Sequence, residues 1–556
     1  MKAPIAAALL VALLGCQTPP SAGPSPRQPR PPKLIVPILI DGLGQHQVMK
    51  HAGRFGAGGF RRLLEEGAWF SDARYGHSTT ITAVGHGTWL TGAYPYRHGM
   101  VSNDWYDRKT KKVVYCTEDP DVHYLGEPTR EHQGTSPKNL AVTTVGDELR
   151  VATDLKSRVF AVSLKDRGAI LPAGRLGVPY FYSAQTGRFI SSDFYLEEFP
   201  EWWSDFQRGN PQNRWFGKVW TPLLPEEAYA GCYDEQTQTQ NFNGLGKKFP
   251  HKVAGLKPEP GSSYYSAIEG TPFGHEYLVE FAKALITHES LGKNPDGVPD
   301  LCAISFSSHD FINHVFGPES AESMDDLLRL DRTLAALFQF LDGWVGLDQT
   351  LVVLTADHGF SYSPEYWSDV FRMDAKRIEA VPLLKKLNEH LEKAFGVEKL
   401  AAAWRLPTIW LDYDLIDSKK LARPDVEREA ATFLGAQPGI HSVFTRTQLS
   451  QGLLPQTRLA QLVSRSWVPQ RSGDLLLVQQ DGWFFKEERF QAVAMHGSPW
   501  TYDARVPVMF LGRPWIRPGS YAGPAEPTDI APTLSQLLSV PPPSGCEGRT
   551  LTEILR

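Results

Sequence analysis

Asp357 and His358 close the stretch LVVLTADHGF, residues 351–360, where a run of strand-forming residues stops at a carboxylate and an imidazole. The apolar run reads as a strand covered on both faces, and Gly359 lets the chain turn away sharply. The event recurs. KLIVPILIDG stops at Asp41, RVFAVSLKDRG at Lys165 and Arg167, and DLCAISFSSHD at Asp310. Ligands of open α/β sheets bind beyond the carboxyl ends of the strands, so four such endings predict a parallel sheet gathering these side chains along one edge. Taken singly, each is explained as well by a polar turn facing water.

Two further histidines extend the set. His314 follows Asp310 by four residues in HDFINH, which on a helix places both on one side, one turn apart. His496 lies in AMHGSPW. Zinc accepts imidazole nitrogen and carboxylate oxygen at four positions. Asp41, Asp310, His314, Asp357, His358 and His496 exceed the needs of one ion and suit two that share access to a substrate oxygen. A nucleophile is offered by HSTTITAVGHGTWLTGAYPYRHG, where Thr82 heads a segment of small and then periodic apolar residues. That pattern predicts a helix starting at Thr82, whose free N–H groups and dipole favour an approaching phosphoryl anion. Capping of that helix by Thr82, Thr79 or Thr80 is the plainer explanation. A free threonine hydroxyl is a poor nucleophile, but metal coordination activates it, so the metal and nucleophile readings support each other.

These residues need elements to hold them. Between the strand runs lie helical patterns, FRRLLEEGAWF after the first and ESMDDLLRLDRTLAALFQFLDGW before the fourth. VPVMFLG reads as a late strand and TDIAPTLSQLLSV as a helix with Pro532 in its first turn. The fold class expected is therefore α/β, a mostly parallel central sheet with helices on both faces. Residues 187–293, rich in Trp, Gln, Asn, Gly and Pro, and residues 365–485, with short strands such as TIWLDYD and DLLLVQQ, read as inserted cap segments over a pocket. At 556 residues there is ample chain for such insertions, and a net charge of -5 gives no reason to expect nucleic acid as a partner.

In order along the chain, TAVGH, SNDWYD, LKDRGAI, HDFINHVFGPES, TADHGF, HGSPWTYD and TDIAPTL resemble the alkaline phosphatase superfamily. They are most similar to the branch of bacterial PafA-type phosphatases related to nucleotide pyrophosphatase/phosphodiesterases, from about residue 33 to the C-terminus. The resemblance implies an alkaline-phosphatase-like catalytic domain over residues 34–556 and a phosphomonoesterase using two zinc ions. One ion would be held by Asp310, His314 and His496. The other would be held by Asp41, Asp357 and His358, with Thr82 as the nucleophile bound to it and phosphorylated in turnover. It further implies that Asn103, Lys165 and Arg167 contact the phosphoryl oxygens; a monoester dianion favours such cationic donors. A solvated loop pair is the plain alternative for Lys165 and Arg167. Val84 departs from the Pro common in relatives, which implies a small local change.

The leader MKAPIAAALLVALLGCQTPP has one Lys, then an apolar run too short to span a bilayer, then the lipobox-like Leu13-Leu14-Gly15-Cys16. A lipoprotein signal peptide (residues 1–16) and a Pro-rich tether (17–33) are expected. They would place the protein in the bacterial envelope, on the periplasmic side and at the outer membrane, touching lipid only through its anchor. Secretion with cleavage elsewhere is the alternative. Cys116, Cys232, Cys302 and Cys546 would then be free to pair in three ways, and Cys302 in LCAISF reads as a buried small hydrophobe. A phosphodiesterase on the same ions is the competing activity, disfavoured by LKDRG. A sulfatase lacks its CxPxR or SxPxR segment here, and a non-catalytic envelope binding protein must explain why ligands and hydroxyl all remain.

Overall fold

The computed structural model describes residues 30–233, 239, 241–486 and 492–556, and Pro31–Arg556 form one compact unit. The leader, Cys16 and most of the Pro-rich segment lie outside the described residues. Lys33, at the end of the expected tether, already joins the sheet: its N–H donates to Gln349 O (2.9 Å) and its carbonyl accepts from Asp300 N (3.0 Å).

The central sheet has nine strands: β1 (Leu34–Ile40), β2 (Ala68–Phe70), β3 (Val159–Ser163), β4 (Val178–Ser183), β5 (Arg188–Ile190), β6 (Asp300–Phe306), β7 (Thr350–Thr355), β8 (Val508–Leu511) and β9 (Gly519–Tyr521). Their order is β9-β2-β8-β7-β1-β6-β3-β4-β5. The inner five, β7-β1-β6-β3-β4, run parallel, whereas β8 pairs with β7 and β5 with β4 in antiparallel fashion. Side chains alternate between two cores. Val36, Ile38, Ile304, Val352 and Leu354 face one, and Ile35, Leu39, Ala303, Leu351 and Val353 the other. Burial on both faces is why these runs are apolar throughout rather than alternating.

Seven helices matter to the site: α1 (Thr82–Trp89), α2 (Val145–Ala152), α3 (Asp166–Ala173), α4 (Pro272–His288), α5 (Ser308–Phe316), α6 (Ala321–Trp344) and α7 (Ile530–Leu538). Helices α4 and α6 cover the first core; α2, α3 and α7 cover the second.

The run FRRLLEEGAWF is not one helix. It is helical over Phe60–Glu66, and Ala68–Phe70 become the strand β2. Gly67 is the reason: a Cβ there would stand 2.6 Å from both Leu63 O and Phe510 O, so only glycine lets the chain leave the helix and run beside β8.

Residues 365–485 fold around a core of their own. Ala401–Arg405, Thr408–Leu411, Leu475–Gln479 and Ile440–Thr445 form, in that order, an antiparallel sheet backed by the helices Ala380–Phe395 and Arg423–Gly435. Residues 187–293 are divided differently. They supply β5 and α4 to the main body, and from the hairpin Lys218–Trp220 with His251–Val253 they set Trp220 against Ile312, Val315 and Phe316 of α5. Among the described residues the disulfides left open by the sequence are not made by Cys116, Cys302 or Cys546, which are free thiols. Cys116 and Cys302 belong to different apolar clusters, and Cys232 packs against Met324 Sδ (3.7 Å).

Candidate active site

The strand ends deliver what their sequences promised. Asp41 follows β1, Asp357 and His358 follow β7, Lys165 follows β3, and α5 begins two residues after β6 and carries Asp310 and His314. His496 arrives from the loop before β8. All are buried.

The three histidines share one arrangement. Nδ1 of His314 lies 3.0 Å from Ala494 O, Nδ1 of His358 2.9 Å from Gly359 O, and Nδ1 of His496 2.8 Å from Thr80 O. A carbonyl only accepts, so each Nδ1 carries a proton and each Nε2 is the nitrogen left to face the site. Those Nε2 atoms face carboxylates. His314 Nε2 and His496 Nε2 are 3.4 and 3.6 Å from Asp310 Oδ1, and His358 Nε2 is 3.4 Å from both Asp41 Oδ1 and Asp357 Oδ2. Among the described residues, Asp41 Oδ1, Asp310 Oδ1, Asp357 Oδ2 and His358 Nε2 are buried without hydrogen-bond partners. Imidazole nitrogens and carboxylate oxygens converging on one another, with ring orientation fixed by backbone carbonyls, are the donor set a divalent cation would use. Burial and the Asp41 charge push the Asp357 carboxyl well above the usual carboxylate range.

Close ligand sets are formed by Asp310, His314 and His496, by Asp41, Asp310 and His358, and by Asp41, His86 and Asp357. His86 received no role from the sequence. It lies one turn after Thr82 on α1, with Nδ1 2.9 Å from Thr82 O and 3.2 Å from Asp357 Oδ2, and Nε2 2.7 Å from Ser305 Oγ. Burial lowers its pKa to about 4, so the ring is neutral; Nδ1–H donates to Thr82 O, and Nε2 accepts the serine proton. With both nitrogens spent, His86 braces α1 against Asp357. What remains around His358 is Asp41 and Asp357. The packing is close enough that Gly85 has no room for a side chain, since a Cβ would stand 2.2 Å from Asp357 O.

Thr82 is the first residue of α1, and neither it nor Thr79 or Thr80 caps the helix. Thr80 Oγ1 donates instead to Ser498 O (2.7 Å), and among the described residues nothing takes up the Thr82 hydroxyl, which lines a cleft of about 500 Å³. Asn103 Oδ1 accepts the Ala83 N–H (2.9 Å), which turns the Asn103 amide N–H₂ away from the helix end as a free donor. Val84 donates its N–H to Ile81 O (2.9 Å), a bond proline could not make.

Lys165 does not point at an open phosphoryl position. Its Nζ donates to Asp41 Oδ2 (2.7 Å) and Asp310 Oδ2 (2.6 Å), lying between carboxylates of both expected ion sites. Burial works against its charge, but Asp310 and Asp41 outweigh that and raise its pKa. Arg167 lines the cleft, its Nη1 donating to the Tyr115 hydroxyl (3.0 Å). Glu269 and Phe311 stand in the same wall.

The sequence model of the type I phosphodiesterase / nucleotide pyrophosphatase family matches residues 35–499. The chain belongs to this family. Within the alkaline phosphatase superfamily it is similar to alkaline phosphatase PhoV of Synechococcus elongatus, 34% identical over 94% of this chain and 93% of that protein. It is also similar to alkaline phosphatase PafA of Elizabethkingia meningoseptica, 33% identical over 94% of each chain. A Myroides odoratus protein named calcium-transporting ATPase is 32% identical over 94% of this chain and 95% of its own. The crystal structure of wild-type PafA superposes with a TM-score of 0.85 at 32% identity, covering 95% of this chain and 99% of that one. A PafA variant substituted at one Thr, one Asn, one Lys and one Arg matches with the same score. The α/β architecture, the family and a metal-dependent hydrolytic site are thus those of the alkaline phosphatases.

Proposed function

We propose that this phosphoric monoester hydrolase works through a covalent phosphothreonine at Thr82, with two zinc ions as cofactors. Asp310, His314 and His496 would hold one ion, and Asp41, Asp357 and His358, with Thr82 beside them, would hold the other. When bound, such ions supply positive charge that makes an alkoxide available and stabilises a leaving oxygen. The chain's own residues do the rest. The Thr82 oxygen forms its bond to phosphorus as the bond to the leaving oxygen breaks; water then attacks the phosphothreonine, releasing phosphate and restoring the hydroxyl. Asn103 and Arg167 hold the non-bridging oxygens. Lys165, on a flexible stem, would join them once Asp41 and Asp310 no longer need its charge.

One observation carries this reading: an uncommitted hydroxyl at the N-terminus of α1 opens on the same cleft as Asn103, Arg167 and the Asp310 cluster. The four residue types altered in the PafA variant recur here at the same separations, as Thr82, Asn103, Lys165 and Arg167. Elemental analysis identifies the metal. Thr82→Ala is expected to abolish p-nitrophenyl phosphate hydrolysis with metal content and unfolding temperature unchanged; near-wild-type turnover sinks the nucleophile assignment.

The family description includes phosphodiesterases, so bis-p-nitrophenyl phosphate is the companion substrate. The cationic wall favours the dianionic monoester. Export as a lipoprotein anchored through Cys16 is part of the same proposal and rests on residues 1–33. Among the described residues no helix is long and apolar enough to cross a membrane.

A further inference from the structure

Arg167 has one hydrogen bond from its guanidinium among the described residues, Nη1 to the Tyr115 hydroxyl (3.0 Å), and its buried Nε has no partner. The phenol is itself held: it donates to Asp166 Oδ1 (2.5 Å). Asp166 is fixed in turn, Oδ1 also accepting the Arg167 backbone N–H (2.5 Å) and Oδ2 accepting the Gly134 N–H (2.8 Å). Tyr115 therefore donates to a carboxylate and accepts from a guanidinium, and both directions are dictated by its partners.

Tyr115 closes the strand Lys112–Tyr115, which pairs antiparallel with Asp104–Asp107 so that Tyr115 stands opposite Asp104. Beside that pair the Cys116 N–H donates to Asn103 O (2.9 Å). The hairpin thus carries Asn103 at its start and Tyr115 at its end, as neighbours. Asn103 is locked to α1 through Ala83, and Arg167 is tied through Tyr115 to the same hairpin.

We propose that Tyr115 is a positioning residue, which aims the Arg167 guanidinium at the phosphoryl oxygens and sets its distance from the Asn103 amide. The inference rests on the monoesterase reading above. An arginine side chain is rich in rotamer entropy, and a fork held at Nη1 loses much of it before substrate arrives, leaving its other donors for the ligand. Charge reading would then belong to the hairpin as much as to the arginine.

The test is Tyr115→Phe, which keeps the ring and removes the hydroxyl, in wild-type and Arg167→Ala backgrounds of the zinc-loaded full chain. Monoester kcat/KM is expected to fall about tenfold, the loss of a hydrogen bond to a charged group, while the diester changes less than twofold. In the Arg167→Ala background the same change should have no further effect, because the phenol acts through the arginine. Asp166→Asn, which weakens the phenol's anchor, should give a smaller loss of the same kind; metal content and unfolding temperature exclude misfolding in either variant. A multiplicative loss in the double variant, or an unchanged Tyr115→Phe enzyme that still prefers monoesters, overturns the role of Tyr115. A wild-type preference for the diester overturns the underlying reading instead.

Discussion

Lys165→Met separates the two partnerships available to one ammonium group. Its side chain is 6% exposed, with Nζ 2.7 Å from Asp41 Oδ2 and 2.6 Å from Asp310 Oδ2. Methionine keeps most of the volume and removes the charge, leaving two buried carboxylates without their shared cation. Removing one partner of a buried ion pair costs about 3–5 kcal/mol. For a folded unit of roughly 500 residues the unfolding entropy near 60 °C is on the order of 1 kcal/mol/K, so the midpoint of chelator-treated protein should fall by roughly 3–5 °C. In zinc-loaded protein the ions neutralise the same carboxylates, and the shift should shrink to about 1 °C or less. Scanning calorimetry of both proteins, in chelator and after zinc reconstitution, measures the difference. Monoester turnover of the loaded variant should fall at the same time, because the ammonium is then missing from the phosphoryl group. Equal shifts with and without metal would refute the reasoning, since they would show that Lys165 and the ions do not compete for Asp41 and Asp310.

Glu269 gives a pH-dependent test. Burial pushes its carboxyl up to about 8, although Lys165 and Arg167 pull the other way. The folded state then holds a proton that the unfolded chain releases near pH 4.5, so this group lowers stability progressively as pH rises from 4.5 to 8, and fully above. Glu269→Gln removes that cost. After discounting for solvent in the open cleft, a gain of about 1–2 kcal/mol is expected at pH 9 and none at pH 4; thermal scans showing the same gain at both pH values would contradict the assignment. For the leader, Cys16→Ser should abolish incorporation of labelled palmitate, and undiminished labelling would rule out the lipobox reading.

Much of the fold was readable because its signals are local. Apolar runs covered on both faces, each ending at once in charge, marked β1, β3, β6 and β7, and four-residue spacing put Asp310 and His314 on one helix face. Local signals misled where a distant strand decided the outcome. Ala68, Trp69 and Phe70 follow a helix without any break in their apolar pattern, yet they form a strand because β8 and β9, more than four hundred residues later, pair with them on either side.

The same division holds at the site. Residue type determined the chemistry: carboxylates and imidazoles for a metal, a hydroxyl for attack, guanidinium and ammonium for a dianion. Tertiary structure alone decided who meets whom. Lys165 reaches Asp41 and Asp310 across 124 and 145 residues, His86 meets Ser305 across 219, and Arg167 finds Tyr115 across 52. These meetings follow from sheet order, in which β6 enters between β1 and β3 and brings three separate strand ends side by side. A sequence records which groups are available; their distances are set by how many strands separate them, and strand order is written in packing between faces that no local pattern encodes.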